Sequence, residues 1–328
     1  MSEREGQQFS AGPPQGKLAP SGGSEPHTVG ERGGNILWPA EAIWEAVYPL
    51  LPTFSVEVLP QIDSTNSELM RRARAGQLDP VLLVAERQTA GRGRLGRSWN
   101  SGVDTTGEGA KNFAAGPPQG EMAPSGGSAA HAVASVGATY IPALTFSLGM
   151  PLAPQDWSGL SLAVGLSVVE SLHPALQLKW PNDVWFQDRK LAGILIETVS
   201  VGELRYAVIG VGVNILLPDQ QGLRTAPAAL HELRADVDAP TALGLVAPNL
   251  VRDIQRFAEQ GFAPLRTAYH ARDLLYGREL VCSDGVVGIA RGVDAMGALL
   301  LHTDAGLKKI TSAEVSVRPV PPPSAEMP

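Results

Sequence analysis

Between Gln177 and Asn214 four apolar, strand-like stretches follow one another almost without pause: Gln177–Trp180, Val184–Gln187, Leu191–Thr198 and Tyr206–Asn214. Only Pro181-Asn182-Asp183, Asp188-Arg189-Lys190 and a turn around Val201-Gly202-Glu203 separate them. Turns this short favour hairpins, whereas a parallel pairing needs a crossover of about a dozen residues or more. This part of the chain is therefore expected to form an antiparallel sheet.

The flanking sequence supplies the remaining elements. Pro39 to Tyr48 reads as a short helix with proline at its start and Ile43, Trp44 and Val47 on one face. Phe54 to Ile62 alternates loosely like a strand, and Asp63-Ser64-Thr65-Asn66 then provides an N-cap for a helix reaching Gly76. Val81 to Glu86 and Leu144 to Leu148 suit buried strands, and Leu160 to Leu172 a strongly apolar helix. Pro227 to Leu275 reads as helical. Glu279 to Val317 holds short strands with turns at Ser283-Asp284-Gly285, Asp294-Ala295-Met296-Gly297 and Asp304-Ala305-Gly306, which suits a small barrel. The expected class is α+β, a mixed and largely antiparallel sheet with flanking helices followed by a small β domain.

Glycine (36) and proline (27) are abundant but unevenly distributed. Residues 9–29 and 113–133 are near-copies, identical at 15 of 21 positions. They lie in two Gly/Pro-rich stretches, 1–35 and 101–138, with too little apolar periodicity to offset the entropy of ordering them. Both stretches, and the tail 320–328, are expected to be disordered. About 255 residues are left to fold, enough for one large domain and a small one. The lone Cys282 excludes an intramolecular disulfide and a cysteine-based zinc site. No charged start leads into an apolar stretch, and no apolar run reaches the length of about 18 residues that a membrane span requires. Neither secretion nor membrane insertion is expected, and the cytoplasm is the default address. A net charge of −7 argues against broad nucleic-acid binding. Against that acidic background, Arg92, Arg94 and Arg97 fall within six residues, which points to a small anionic ligand.

Those arginines belong to Ala90–Trp99, AGRGRLGRSW, directly after the VLLVAE strand. Gly91, Gly93 and Gly96 permit close backbone approach, and the arginines offer planar, multi-donor contacts to phosphate or carboxylate oxygens. A solvated basic turn is the bland alternative. Gly91 to Ser98 approximates a phosphate-binding P-loop, but no helix pattern follows directly to hold the phosphates, so that reading fails. A second cluster, Lys179-Trp180-Pro181-Asn182-Asp183 with Asp188-Arg189-Lys190-Leu191-Ala192-Gly193, places two lysines on either side of one hairpin and a carboxylate at its first turn. It is either a site for a negatively charged reaction or a charged hairpin rim. Gly210-Val211-Gly212-Val213-Asn214 ends an apolar strand. It is either a backbone that passes close to a ligand, with Asn214 offering amide donors, or a packed strand with a bulge. The six scattered histidines offer no metal cage, and no nucleophile elbow appears.

Taken together these residues resemble the biotin–protein ligase family. The resemblance rests on Ser64-Thr65-Asn66, on Glu86 and Gln88 through Trp99, on Lys179 to Asp183, on Arg189-Lys190-Leu191-Ala192-Gly193-Ile194-Leu195-Ile196-Glu197, and on Gly210-x-Gly212-x-Asn214. Gly288 to Leu301 adds a likeness to that family's small SH3-like domain. The resemblance covers about residues 54–318 and implies a class II synthetase-like catalytic domain over residues 36–275, interrupted by 101–138, with an SH3-like β-barrel over 276–319. It implies two-step chemistry, in which biotin and ATP give biotinyl-5′-AMP and a lysine of a biotin carboxyl carrier domain then takes the acyl group. Biotin contacts carry over to Ser64, Thr65, Asn66, Gln88, Gly91, Arg92, Gly93, Arg94, Lys190 and Gly193. Adenylate contacts carry over to Arg94, Arg97, Trp99, Lys179, Asn182, Asn214 and Arg318. Lys190, Arg92 and Asp183 are the candidate catalytic groups, with Asp183 orienting the acceptor lysine or a Mg²⁺ ion that accompanies ATP. No resident metal is expected.

A lipoate- or octanoate-transferring relative and a non-catalytic binder of biotinyl-AMP are the alternatives. Some family members carry an N-terminal DNA-binding domain. Residues 1–35 are too rich in glycine and proline to form one, so no DNA binding is expected. Homodimerisation stays open.

Overall fold

The computed structural model describes residues 36–100, 141–220, 223, 225–311 and 317–319. The two Gly/Pro-rich stretches and the tail expected to be disordered lie outside the described residues.

A seven-stranded sheet organises the larger part. Its strands are β1 (Ser55–Ile62), β2 (Val81–Gln88), β3 (Ala143–Pro151), β4 (Gln177–Lys179), β5 (Asp183–Phe186), β6 (Arg189–Val201) and β7 (Leu204–Asn214), in the spatial order β1-β2-β3-β7-β6-β5-β4. Only β1 and β2 run parallel, and helix α2 (Thr65–Arg74) makes the crossover between them that a parallel pair requires. Every other pairing in this sheet is antiparallel, and for β4 to β7 the short turns between Gln177 and Asn214 predict it. The β5–β6 hairpin turns at Gln187 and Asp188, both at positive φ (48° and 57°), the conformation that suits a two-residue hairpin to strand twist. Arg189 and Lys190, expected in the turn, are thus the first residues of β6.

Side-chain alternation assigns the two faces of the sheet. Leu82, Val84, Leu144, Phe146, Leu148, Ile209 and Val211 point into the main core, which α3 (Leu160–Leu172), α4 (Ala239–Gln260) and α1 (Ala40–Val47) cover. The alternate residues Val81, Leu83, Tyr206 and Val208 meet Leu69, Met70 and Ala73 of α2 on the opposite face. Helix α3 is apolar almost all round because it lies between the sheet and α4. Helix α4 instead buries Ala239, Ala242, Leu243, Val246, Ala247, Leu250, Val251, Ile254 and Phe257, one stripe at helical spacing.

The helical reading of 227–275 holds for a single 3₁₀ turn at Leu230–Glu232 and then from Ala239 onward. Asp238 caps α4 by accepting from Thr241 N at 2.9 Å, and the short α5 (Arg266–His270) follows. Residues 226–228 are extended because their backbone pairs with β6. Lys190 N donates to Ala226 O at 2.9 Å, and Ala228 N donates to Lys190 O at 2.8 Å. A segment committed to that pairing cannot also be a helix.

The C-terminal part is a five-stranded antiparallel sheet, in which β8 (Glu279–Cys282), β9 (Val287–Val293), β10 (Leu299–Thr303), β11 (Gly306–Ile310) and β12 (Val317–Pro319) lie in the order β11-β10-β9-β8-β12. Its apolar side chains, among them Leu280, Ala290, Val293, Leu299 and Leu301, are continuous with the main core. Trp180, buried in the turn between β4 and β5, donates from Nε1 to Gly297 O at 3.1 Å and ties the two sheets together.

Candidate active site

Helix α2 covers only part of its face of the sheet. Toward the end of β7 the same face lacks side chains of its own at Gly210 and Gly212, and Gly193 lies opposite Gly212 on β6, so other groups can approach the backbone closely there. The ladders with β3 and β6 run through Gly210 and Gly212 without a register shift, which removes the bulge reading. A side chain at either position has no room: a Cβ on Gly210 collides with Asn66 Oδ1, and one on Gly212 with the indole of Trp99. These glycines make the floor of a cleft of about 1140 Å³.

The N-terminus of α2 forms one wall. Ser64 caps the helix, accepting from Ser67 N at 3.4 Å, and Gln88 Oε1 accepts from Thr65 N at 2.8 Å. Asn66 is buried and fully engaged in the floor. Its Nδ2 donates to Leu195 O (3.2 Å) and to Glu197 Oε2 (3.1 Å), and its Oδ1 accepts from Ser147 Oγ (2.6 Å).

The glycine–arginine loop forms the roof. It folds back on itself through Trp99 N to Gly91 O (2.8 Å) and Gly93 N to Arg97 O (2.7 Å). A single 3₁₀ turn at Arg94–Gly96 makes its tip, with Gly96 at φ 70°. Gly91 is needed for a close approach, since its Cβ would run into the Trp99 carbonyl oxygen. Arg92 reaches Glu197 with NH2 to Oε1 at 3.0 Å, and Arg94 NH1 donates to Asn182 Oδ1 at 3.2 Å. The indole of Trp99 lies over Gly212 and Gly193.

The β4–β5–β6 strands supply the far wall. In strict alternation Lys190 would share the core-facing parity of Ala192 and Ile194. The ladder shifts between Val184↔Ala192 and Trp185↔Lys190, so Leu191 is an extra residue and Lys190 rotates onto the cleft face. There its Nζ donates to Asp183 Oδ1 at 2.8 Å, with both side chains largely sheltered. Lys179 Nζ lies 4.6 Å from the Trp185 ring centroid. Burial pushes the Lys179 amine below its usual range; Asp183 opposes that shift, while Lys190, Arg318 and Arg97 add to it by repulsion. Burial also lowers Arg94. The result is a group of cations that repel one another until an anion enters between them.

Of the residues singled out in the sequence, Ser64, Thr65, Asn66, Gln88, Arg92, Gly93, Arg94, Arg97, Trp99, Lys179, Asn182, Asp183, Lys190, Gly193, Asn214 and Arg318 all line this one cleft. Gly91 is buried behind it. Arg318 arrives from the C-terminal sheet on β12. Two amide side chains differ from expectation. Asn214 Nδ2 donates to Ala228 O (3.0 Å) and Lys190 O (3.3 Å), so its amide hydrogens hold the lysine strand, and only its oxygen faces other partners. Asn182 Nδ2 donates to Ile194 O at 2.8 Å and its oxygen receives Arg94, which makes it an anchor for the loop. Sequence reasoning passed over Thr145 and Ser147, and quoted Glu197 in a motif without giving it a role. The signal for the first two is alternation, polar Thr145 and Ser147 between Leu144, Phe146 and Leu148 in a fully buried strand.

A glycine floor, an arginine-rich roof and two lysines beside one carboxylate make a cleft suited to drawing anionic groups together. The biotin/lipoate A/B protein ligase family matches residues 124–214, and the biotin protein ligase C-terminal domain matches residues 281–318. The chain is 33% identical over 267 residues to the biotin–[acetyl-CoA-carboxylase] ligase of Paracoccus denitrificans, covering 79% of this chain and 98% of that one. It is 32% identical over 275 residues to the Mycobacterium tuberculosis protein of the same name, covering 79% and 88%. The solved biotin protein ligase of Aquifex aeolicus, in complex with biotin and ATP, superposes with a TM-score of 0.59 at 26% identity over 81% of this chain and 99% of that one. The chain belongs to the biotin protein ligase family.

Proposed function

We infer that this chain joins biotin to a lysine of a biotin carboxyl carrier domain through biotinyl-5′-AMP. The observation that carries the reading is the convergence of glycine floor, arginine roof and the Lys190–Asp183 pair on one cleft. In the first step a biotin carboxylate oxygen attacks the α-phosphorus of ATP, the bond to the β-phosphate breaks, and pyrophosphate leaves. Two anions must approach each other, and Lys190, Arg92 and Arg94 offset their repulsion and stabilise the charge that builds at phosphorus. Lys179, Arg97 and Arg318 suit the polyphosphate. Asp183 is a suitable single carboxylate for a Mg²⁺ ion carried in with ATP. In the second step the acceptor amine attacks the acyl carbon and AMP departs with the electron pair of the broken C–O bond. Ordering of the roof keeps water from the mixed anhydride.

The proposed division is a catalytic part, 36–275, and an SH3-like part, 276–319. The proposal includes no DNA-binding and no membrane role, and a cytoplasmic setting; no described helix is long and apolar enough to cross a membrane. The test is incubation with ATP, a carrier domain and either biotin or lipoate, read by mass spectrometry. Labelling by biotin alone is expected, and Lys190→Ala should lower adenylate synthesis by about two orders of magnitude. Labelling by lipoate alone, or adenylate binding with no transfer, overturns the reading.

A further inference from the structure

Glu197 stands at the site face of β6 and has no role in the chemistry above, yet it joins the roof of the cleft to its floor. Its Oε1 meets Arg92 NH2 at 3.0 Å, and its Oε2 accepts from both Arg92 NH1 (3.3 Å) and Asn66 Nδ2 (3.1 Å). From Asn66 the contacts continue through Ser147, whose Oγ lies 2.6 Å from Asn66 Oδ1 and 2.7 Å from Thr65 Oγ1, and on to Gln88 Oε1, 3.2 Å from Thr65 Oγ1. One carboxylate therefore grips a loop arginine in the two-oxygen geometry a guanidinium prefers while setting the orientation of a buried amide. The Arg92 side chain is 49% exposed and the Glu197 side chain 21%, so the arginine is the partner on the solvent side and the glutamate the more sheltered one.

We propose that Glu197 is a positioning residue, which docks the glycine–arginine loop through Arg92 onto the polar floor it orders through Asn66, so that head-group recognition and loop closure are coupled. The inference rests on the biotin-activating reading of the cleft. Glutamate at this position meets both demands. Glutamine keeps the acceptor for Asn66 but loses the charge that holds the guanidinium, and alanine loses both.

The full chain with Glu197→Gln, Glu197→Ala, Arg92→Ala and the Arg92→Ala/Glu197→Gln pair tests this. Biotin-dependent ATP–pyrophosphate exchange gives KM and kcat, and tryptic cleavage after Arg92, located by mass spectrometry, reports whether that side chain is held. Glu197→Gln should raise the KM for biotin about ten-fold, the size of one charge-assisted hydrogen bond, with kcat within about three-fold of wild type. It should also let more biotinyl-AMP escape into solution and speed cleavage after Arg92. In the Arg92→Ala background Glu197→Gln should add little further loss of KM. An unchanged KM with Arg92 still protected overturns the proposal, as does an equal effect of Glu197→Gln with and without Arg92, the mark of an ordinary strut. Should Glu197→Ala fail to fold, Glu197→Gln carries the test, because it retains the Asn66 contact. If wild-type protein shows no exchange with biotin, the activation reading fails separately, and protection of Arg92 from trypsin still decides the role of Glu197.

Discussion

Replacing Gly210 with alanine is the most direct test of why this floor is bare. An added Cβ collides with Asn66 Oδ1 and comes within 2.9 Å of Asn66 Cγ, so the amide must move. Asn66 is 4% exposed and held at three points, by Ser147 (2.6 Å), Glu197 (3.1 Å) and Leu195 O (3.2 Å). Displacing it forfeits about two of those contacts at about 2 kcal/mol each, because the partners are left buried and unsatisfied. Alanine returns about 1 kcal/mol by stiffening the unfolded chain. The net loss is about 3 kcal/mol, or about 6–12 °C in Tm for a domain of this size. Urea titration and thermal unfolding measure it, and biotin affinity measured by calorimetry should fall in parallel. Gly244→Ala is the matched control: it lies inside α4, with Pro39 Cγ at 3.4 Å as its nearest neighbour, and should be neutral or stabilising by up to about 1 kcal/mol. Adding Asn66→Ala to Gly210→Ala should cost less than the sum of the two single changes, since the collision is then gone. A Gly210→Ala protein as stable as wild type, with unchanged biotin affinity, refutes the reasoning.

Other outcomes follow from the same geometry. Because burial lowers the Lys179 amine, it loses its proton at a pH below the usual 10.5 in the ligand-free protein, and affinity for an anionic nucleotide should fall as pH rises through that lowered value. Lys179→Met should remove this alkaline limb of the ATP dissociation constant, and a limb that persists in Lys179→Met assigns it to another group. The same shift makes the unfolded chain the better proton binder between the lowered value and 10.5, so the Lys179 contribution to stability improves with pH across that window. Trp180→Phe removes the donor to Gly297 O and should cost about 1–3 kcal/mol in unfolding free energy, with wild-type stability as the contrary result.

Much of this architecture was legible in the sequence because the relevant forces are local. Three-residue turns between apolar stretches leave no length for crossovers, so the order and sense of β4 to β7 follow directly. Helix α3 was bounded correctly by its apolar run, and Asp63 to Asn66 announced a serine or threonine cap for α2, the role that Ser64 takes in the structure. The helical signal at the start of 227–275 misled because propensity carries no information about a distant strand edge, and β6 claims the backbone of 226–228 through Lys190.

The candidate site divides in the same way. Composition and spacing alone marked Gly91 to Trp99 as a loop for an anion, and Lys179, Asp183 and Lys190 as a charged hairpin, since glycine backbone and fixed charges express their chemistry wherever they fold. Which way Lys190 points was decided only by the β-bulge at Leu191, because a single extra residue reverses the parity of every side chain before it. Engagement of the Asn214 amide by Lys190 O and Ala228 O, and the joining of Arg92 to Asn66 by Glu197, likewise came only with the folded chain. Those contacts link residues more than a hundred positions apart in the case of Asn66 and Glu197, where no local pattern reaches and only the packing of α2 against the sheet brings the partners together.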